Sequence, residues 1–322
     1  MQFFTSLIQR FGSSRSFPEI KRIAEKHALR DDHGAYERAL SRYDTNIVFD
    51  GACDLHQFIG SGKGQHTLNC YRKLRCDGRW LFEKIYAVES LDWRKCQYFY
   101  EHVHPTLERV AIRVPALLWS MCGSRLAVAR FDYVEFSPID PQSYLEDVVS
   151  ISGQLSGIGP AQPYVPADLL DLSQHYGFER CFQKTVGVVE RAGGDADLLW
   201  SMRNQCEALP RFIGHGDLSR PNMAQDALLL DWDNFGFYPP GFDLALAAVL
   251  KGDLLGEEEL RQLALSAYEP ISEHCSFQDF WFSMTFFYSV FLSARKAEHK
   301  VSCLKLLERN LAGSSGRAVA FN

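Results

Sequence analysis

The segment that decides the fold is His215-Gly-Asp-Leu-Ser-Arg-Pro-Asn222, which Asp231 follows after a short, largely apolar stretch. Pro221 disfavours helix and holds this segment in a tight loop. The residues after Asn222 have the pattern of two short strands around the two-residue turn Asp226-Ala227, which would place Asn222 directly opposite Asp231. Residues opposed in this way have Cβ atoms about 4.5–5.5 Å apart on one face of the hairpin. The sequence therefore predicts that the Asn222 and Asp231 side chains converge.

The side chains of this segment predict a particular chemistry. A carboxylate and an amide oxygen that converge form a hard-oxygen site, which suits Mg²⁺ bound together with phosphates. Asp217 precedes the hairpin by one loop, where it can accept a proton from an attacking hydroxyl or orient it. Phosphoryl transfer requires such a carboxylate for the nucleophile, and metal ligands that neutralise charge on the β- and γ-phosphates. The segment thus predicts a kinase-type phosphoryl-transfer site.

The same segment, with Leu230-Asp-Trp-Asp-Asn234 and Asp243-Leu-Ala245, resembles the aminoglycoside phosphotransferase and choline kinase family. That family shares the protein-kinase-like fold, so the resemblance implies an α+β, bilobal structure. Its motifs are confined to 215–245, while the order of the two lobes extends it over roughly 45–310. One departure is that the interval between Asn222 and Asp231 is several residues shorter than is usual in the family.

The resemblance implies a role for each of the motif residues. Asp217 would be the catalytic base, and Asn222 and Asp231 would hold Mg²⁺. His215 would brace the catalytic loop without touching substrate. Asp243 would be buried and would fix the same loop by hydrogen bonds.

The order of predicted elements agrees with two lobes. Residues 1–136 are predicted as a β-rich N-terminal lobe, with a helical extension at 1–45, strands from 46 onwards and one helix over 89–108. Residues 137–322 are predicted as a mostly helical C-terminal lobe that carries the catalytic loop and the substrate pocket.

The N-terminal half carries the candidate nucleotide-binding residues. Gly60-Ser61-Gly62-Lys63-Gly64 joins two predicted strands, and a glycine-rich hairpin lets backbone N–H groups approach phosphates; by itself it also fits a flexible turn. Lys84 lies in the next apolar strand, where it would contact the α- and β-phosphates or, alternatively, face solvent. Its partner would be Glu101 in the predicted helix, with Glu89 as the second choice and a plain surface charge as the alternative for Glu101. The connection Phe131–Glu135 would hold adenine through its backbone.

The acceptor is the least determined part of the prediction. Aromatic side chains with nearby acids could hold an amino or quaternary cation by cation–π contacts, although aromatics at helical spacing usually pack in the core. Asp233 could serve a second metal or the substrate. The aromatic side chains concerned are Trp232, Phe235, Phe237, Tyr238, Trp281, Phe286, Phe287 and Tyr288, and the further acids are Glu269 and Glu273.

Composition excludes several classes of protein. The net charge of −6 argues against a nucleic-acid or anionic-membrane partner. Nine scattered cysteines without a C-x-x-C pair argue against a disulfide framework or a zinc site. The N-terminus lacks the basic region of a signal peptide, and no stretch is apolar enough to span a membrane, so we expect a cytoplasmic protein that is a monomer or a homodimer.

The sequence therefore predicts an ATP- and Mg²⁺-dependent kinase that phosphorylates a hydroxyl of a small molecule, such as an amino alcohol, a sugar or an aminoglycoside-like compound. Two alternatives remain. One is a protein kinase, against which Asp231-Trp-Asp233 and the lack of a downstream Ala-Pro-Glu argue. The other is a catalytically silent nucleotide-binding scaffold, which would be expected to lose at least one of the motif residues.

Overall fold

Two compact units make up the chain, one from residues 1–101 with 115–135 and the other from 102–114 with 136–322. The predicted N-terminal lobe ran without interruption to residue 136, whereas segment 102–114 groups with the second unit. The reason is that the backbone of Arg113 pairs with a strand of that unit. The computed structural model describes residues 33–49, 53–61, 69–191, 193–252 and 254–295.

The first unit contains a five-stranded antiparallel sheet with the strand order β1-β2-β3-β5-β4. A helix precedes the sheet in the chain, and a second helix lies between β3 and β4. The elements are α1 (His33–Tyr43), β1 (Cys53–Ser61), β2 (Asn69–Cys76), β3 (Arg79–Ala87), α2 (Leu91–Tyr98), β4 (Leu117–Cys122) and β5 (Leu126–Asp132).

Both faces of this sheet are covered, because side chains on alternate residues of β3 and β5 point to opposite sides. On one face Ile85 and Val128 pack with Tyr36 and Leu40 of α1. On the other face Tyr86, Ala127, Ala129 and Phe131 pack with Trp93 of α2. This burial on both faces explains why β5 consists almost entirely of buried residues.

Two elements predicted in the N-terminal half of the chain differ in the structure. The predicted strand at 46–49 does not form. The N–H of Asn46 donates to the Asp44 carboxylate at 3.2 Å and that of Ile47 to the Asp44 carbonyl at 3.0 Å, which makes a turn at 45–46, and residues 47–49 have no regular structure. The predicted helix 89–108 is a succession of α2, a π-helical turn, a short α3 and a 3₁₀ turn. Pro105 has no N–H to donate to the carbonyl of Glu101, which removes one α-helical hydrogen bond there. The π-helical turn spans Phe99–Val103, α3 spans His104–Leu107 and the 3₁₀ turn spans Glu108–Val110. Of the predicted helical extension at 1–45, residues 1–32 lie outside the described residues.

The second unit is mostly helical, as predicted, and its strands are short. The longest described helix, α10, packs against α6 and α8, and Phe178, Phe242 and Phe287 form a cluster of edge-to-face rings at their contact. The helices are α4 (Tyr144–Ser156), α5 (Ala167–Leu170), α6 (Tyr176–Arg191), α7 (Ala196–Glu207), α8 (Phe242–Lys251), α9 (Glu257–Tyr268) and α10 (Phe277–Arg295). The strands are β6 (Phe212–Gly214), β7 (Met223–Ala224), β8 (Leu228–Leu229) and β9 (Gly236–Tyr238). No helix within the described ranges is long and apolar enough to cross a membrane.

A buried ion cluster lies beneath α1 on the sheet of the first unit. The fully buried Glu83 carboxylate accepts hydrogen bonds from Arg72, at 2.9 Å to Nη2, and from Arg130, at 2.8 Å to Nε. Arg72 also donates to Glu37 of α1 at 2.9 Å, so the cluster joins the helix to the three strands β2, β3 and β5. Burial by itself would raise the pKa of Glu83, but the Arg72 and Arg130 guanidiniums outweigh it and hold that pKa below its ordinary value.

We expect Glu83→Gln to lower the free energy of unfolding by about 3–5 kcal/mol, because it removes the charge of the fully buried carboxylate that two buried guanidiniums share. Urea denaturation at pH 7 measures this change. The matched control is Glu190→Gln on an exposed position of α6, with an expected effect within about 0.5 kcal/mol. Equal midpoints for the two variants would contradict the prediction.

Candidate active site

The hairpin after Asn222 has a different register from the predicted one. Met223 lies opposite Leu229 and Ala224 opposite Leu228, so the turn contains three residues, 225–227, instead of two. Both Asp226 and Ala227 have left-handed backbone conformations, with φ of 59° and 51°. These two residues widen the turn by one position, and the predicted register is wrong.

The new register changes the partner of Asn222. The Asn222 carbonyl accepts a hydrogen bond from the N–H of Leu230 at 2.9 Å, so the prediction that Asn222 lies directly opposite Asp231 is also wrong. Asp231 is instead the residue at which the chain leaves the hairpin, in a left-handed conformation with φ 58° and ψ 62°. Such conformations are costly for residues other than glycine and cluster at functional sites. The Asp231 side chain is exposed.

Both edges of this hairpin are held by other segments of the second unit. On the β8 side, the N–H of Arg113 donates to the Ala227 carbonyl at 3.0 Å, and the Arg113 carbonyl accepts from Leu229 at 2.9 Å. On the β7 side, the N–H of Ile139 donates to the Met223 carbonyl at 3.1 Å. The strands that flank Asn222 and Asp231 are therefore fixed by backbone pairing from outside the motif.

The loop that carries Asp217 is hydrogen-bonded to the buried Asp243. The two Asp243 carboxylate oxygens accept from the N–H groups of His215 and Gly216, each at 2.8 Å. Burial raises the pKa of Asp243 to about 6; the two backbone N–H groups oppose this rise, and the charge of Asp217 adds to it. A buried carboxylate that accepts two backbone N–H groups is a rigid support for the loop.

His215 forms hydrogen bonds through both of its ring nitrogens. Its ring is fully buried, with Nε2 at 2.8 Å from the Leu230 carbonyl and Nδ1 accepting from the N–H of Asp217 at 3.2 Å. Because a carbonyl oxygen only accepts, Nε2 carries the proton and Nδ1 does not. His215 therefore ties the loop to the end of the hairpin just before Asp231.

Asp217 and Asn222 are in direct contact. The amide nitrogen of Asn222 donates to the Asp217 carbonyl at 3.0 Å and to its carboxylate at 3.2 Å. Both side chains are half-buried. Since the nitrogen faces Asp217, the amide oxygen of Asn222 is the atom that can serve as a metal ligand.

A metal at this site would rely on few protein ligands. Among the residues that the structure describes, no group of three or more His, Cys, Asp or Glu side chains could hold a metal ion. Mg²⁺ is commonly bound by one or two carboxylates, with waters and substrate phosphates completing its octahedron. The oxygen donors of Asn222 and Asp231 fit that chemistry.

Two residues that support the loop were missed by the sequence reasoning. His175, just before α6, lies with Nε2 at 2.8 Å from the Gly216 carbonyl, and the hydroxyl of Tyr144 donates to the Leu218 carbonyl at 2.6 Å. Both side chains are buried. Neither belongs to a motif, and each is far from the loop in the sequence, so no local signal would have found them.

The candidate nucleotide residues lie in the first unit. Lys84 is buried on β3, on the face opposite Glu83, with its ammonium 5.4 Å from the centre of the Tyr71 ring and 5.9 Å from that of Phe82. The alternative that Lys84 faces solvent is therefore wrong, and its contact with the α- and β-phosphates stays a prediction. Glu101 lies in the π-helical turn and Glu89 just before α2, both with exposed side chains. Gly60 and Ser61 end β1, and Gly62, Lys63 and Gly64 lie outside the described residues.

The aromatic side chains near Asp231 and in α10 pack mainly in the core. All are buried except Trp281, which is half-buried, so core packing accounts for most of them, as the helical spacing indicated. Glu269 and Glu273 are exposed, and Asp233 is half-buried in the 3₁₀ turn Trp232–Asn234.

Comparisons with known proteins place this geometry in context. The sequence model of the phosphotransferase enzyme family matches residues 101–274, which is more than half of the chain and includes the whole motif. Comparison with the curated proteins found no match.

Similar solved structures include three kinases or phosphotransferases. A putative fructosamine-3-kinase from Haemophilus somnus 129PT is 14% identical, with a TM-score of 0.49 over 90% of this chain and 99% of its own. A thermostable mutant of an aminoglycoside phosphotransferase, in a ternary complex with ADP and hygromycin B, is 12% identical, with a TM-score of 0.47 over 87% of this chain and 99% of its own. A Plasmodium vivax ethanolamine kinase is 10% identical, with a TM-score of 0.44 over 80% of this chain and 81% of its own.

The raised pKa of Asp243 predicts a pH dependence of stability. Its ordinary value is 3.8 and its folded value about 6, so the folded protein binds this proton more tightly than the unfolded chain does. The stability from this group is therefore fully present below about pH 4 and is lost as the pH rises through about 6. We expect the stability of the wild type relative to Asp243→Asn, which cannot titrate, to fall by about 3 kcal/mol between pH 4 and 7. Urea denaturation across that range measures the difference, and parallel curves for the two proteins would contradict the prediction.

Proposed function

The chain belongs to the phosphotransferase enzyme family, and from this premise we propose that it is a small-molecule kinase. It transfers the γ-phosphate of ATP to a hydroxyl of a small molecule. Asp217 accepts the proton of that hydroxyl or orients it, and Asn222 and Asp231 hold the Mg²⁺ that accompanies the nucleotide. This proposal specifies the reaction and the residues that carry it. It specifies the acceptor only as a hydroxyl compound.

The observation that carries this proposal is the way in which Asp217 is held. The N–H of Asp217 donates to His215, and its carboxylate accepts from Asn222 at 3.2 Å. A general base must be held at a fixed position with its carboxylate still accessible, and Asp217 is half-buried rather than enclosed. In phosphoryl transfer most of the rate enhancement comes from positioning and from electrostatic stabilisation, so a rigidly held carboxylate beside a metal ligand fits this reaction.

The metal would supply charge neutralisation. Mg²⁺ bound between the phosphates and the oxygens of Asn222 and Asp231 would offset the charge that develops on the transferred group. Asn222 has a second role, because its amide nitrogen orients the Asp217 carboxylate. One side chain therefore links the position of the base to the position of the metal.

The nucleotide-binding residues of the proposal are Lys84 and the segment Gly60–Gly64. A buried lysine beside two aromatic rings is desolvated, which strengthens its attraction for phosphate oxygens. Glu101 is the proposed partner of Lys84, and Glu89 is the second choice. Lys84 would contact the α- and β-phosphates, and the glycine-rich segment would cover them with backbone N–H groups.

The acceptor that we propose is an amino alcohol, a sugar or an aminoglycoside-like compound. The negative net charge and the half-buried Asp233 near the metal ligand support an acceptor that carries an amino group. Six cysteines in the described part of the chain are free thiols, which supports a reducing, cytoplasmic setting.

We expect Asp217→Asn to lower kcat by about 10²–10⁴-fold, because it removes the general base while keeping the shape of the side chain. The KM for ATP should change little, since Asp217 serves the acceptor. ADP release with Mg-ATP and a panel of hydroxyl compounds measures both constants. Asp226→Asn is the matched control in the same segment, because Asp226 is exposed in the hairpin turn and asparagine tolerates its left-handed conformation.

The panel also separates the alternatives. Activity on a protein substrate alone would support a protein kinase instead. ATP binding without turnover on any compound would support the scaffold and exclude the proposed function.

The proposed role of Asp231 as a metal ligand can be tested by substitution. Asp231→Asn should raise the Mg²⁺ concentration required for the half-maximal rate by at least about tenfold, because a neutral amide is a poorer ligand for a hard cation. A titration of the rate with Mg²⁺ at saturating ATP measures this shift, with Asp226→Asn again as the control. The same Mg²⁺ requirement in both variants would remove Asp231 from the metal site.

A further inference from the structure

The loop before Asp217 contains a residue that has to be glycine. Gly216 has φ of +78°, and a Cβ atom built there would lie 2.2 Å from the Asn234 carbonyl oxygen, which excludes any side chain. Glycine, however, populates positive and negative φ about equally. The local chain therefore does not fix the orientation of the peptide that joins Gly216 to Asp217, and this peptide directs the Asp217 side chain.

Both ends of that peptide are held by histidines. The N–H of Asp217 donates to Nδ1 of His215 at 3.2 Å, and the Gly216 carbonyl lies 2.8 Å from Nε2 of His175. Because the carbonyl only accepts, Nε2 of His175 is the donor. We propose that His175 is a positioning residue for phosphoryl transfer, which fixes the plane of the Gly216–Asp217 peptide and so the direction of the Asp217 carboxylate. This inference rests on the proposed function of Asp217.

The ring of His175 is itself fixed by its surroundings. Its Nδ1 accepts the N–H of Phe178, in the first turn of α6, at 2.9 Å, so the side chain caps that helix. The ring contacts Tyr238 and Phe242 edge to face, with centroids 5.6 and 5.1 Å away, and the residue is 4% exposed. The orientation of the Gly216 carbonyl is therefore set by α6, which ties a catalytic peptide to the helical core.

The two ring nitrogens of His175 form two separate hydrogen bonds, one to the loop and one to α6. Two substitutions can remove these hydrogen bonds one at a time. His175→Asn keeps an acceptor close to the position of Nδ1, which caps α6, but it is too short to reach the Gly216 carbonyl. His175→Gln extends an amide N–H to about the position of Nε2 but loses the cap. The first variant removes the contact to the loop, and the second removes the contact to the helix.

The experiment measures kcat, the KM values for ATP and the acceptor, and Tm for the wild type and both variants. For His175→Asn we expect kcat to fall by about 10- to 100-fold, because a displacement of about 1 Å of a reacting group costs this much. Its KM values should stay within about threefold of those of the wild type, since the substrates still bind. For His175→Gln we expect kcat near that of the wild type and a lower Tm.

Tyr268→Phe, which removes a hydroxyl bond to the Cys275 carbonyl away from the loop, is the control for loss of a hydrogen bond and should keep its kcat.

Equal kcat values for the wild type and His175→Asn would overturn the inference while leaving the proposed function intact. Losses of kcat that follow Tm in both variants would also overturn it, because they would show a purely structural role. A wild type that is inactive on the whole panel would overturn the proposed function and this inference with it.

A measurement on the wild type tests the contact even if a variant fails to fold. Nitrogen-15 NMR of the histidine rings should show His175 protonated at Nε2 and unprotonated at Nδ1. The opposite tautomer would overturn the inference, because Nε2 could then not donate to the carbonyl.

Discussion

Two backbone N–H groups, those of His215 and Gly216, have a buried carboxylate as their partner, and the rest of the site depends on that interaction. Asp243 accepts both at 2.8 Å from its place in the first turn of α8. Buried backbone donors need partners, and a loop with left-handed residues cannot supply them from regular structure. The charged group is costly to bury, which the raised pKa of Asp243 reflects, and two donors offset this cost. Helix α8 thereby determines where the chain enters the catalytic loop.

From that anchor the loop continues through contacts with side chains. The Gly216, Asp217 and Leu218 carbonyls accept from His175, Asn222 and Tyr144 respectively. Each donor comes from a different part of the second unit, and each forms a hydrogen bond with the carbonyl of a different peptide group of the loop. A loop held in this way keeps an irregular conformation, with the 3₁₀ turn Arg220–Asn222 as its one regular element, and such preorganisation suits the general base proposed at Asp217.

In the first unit, two neighbouring charged side chains of β3 lie on opposite faces of the sheet in different surroundings. Glu83 and Lys84 are neighbours on β3, and their side chains therefore point to opposite faces of the sheet. Glu83 forms hydrogen-bonded ion pairs with Arg72 and Arg130 beneath α1. Lys84 is buried beside aromatic rings on the other face. The buried charges are fixed by strand register, because a slip of one residue would exchange the two side chains.

The sequence by itself determined the class of the fold and, by resemblance, which residues are proposed to carry the chemistry. Asp217, Asn222 and Asp231 lie within one short stretch, and the resemblance of that stretch and of Asp243-Leu-Ala245 to a known family implied supporting roles for His215 and Asp243. The alternation in β3 and the apolar helices were also evident, because hydrophobic periodicity is a property of neighbouring residues. Only the tertiary structure decided the register of the hairpin after Asn222, since pairing to Arg113 and Ile139 and two left-handed turn residues set it from outside the motif. It alone also revealed His175 and Tyr144, because a hydrogen-bond partner 41 or 74 residues away depends on how helices pack and leaves no pattern in the local sequence.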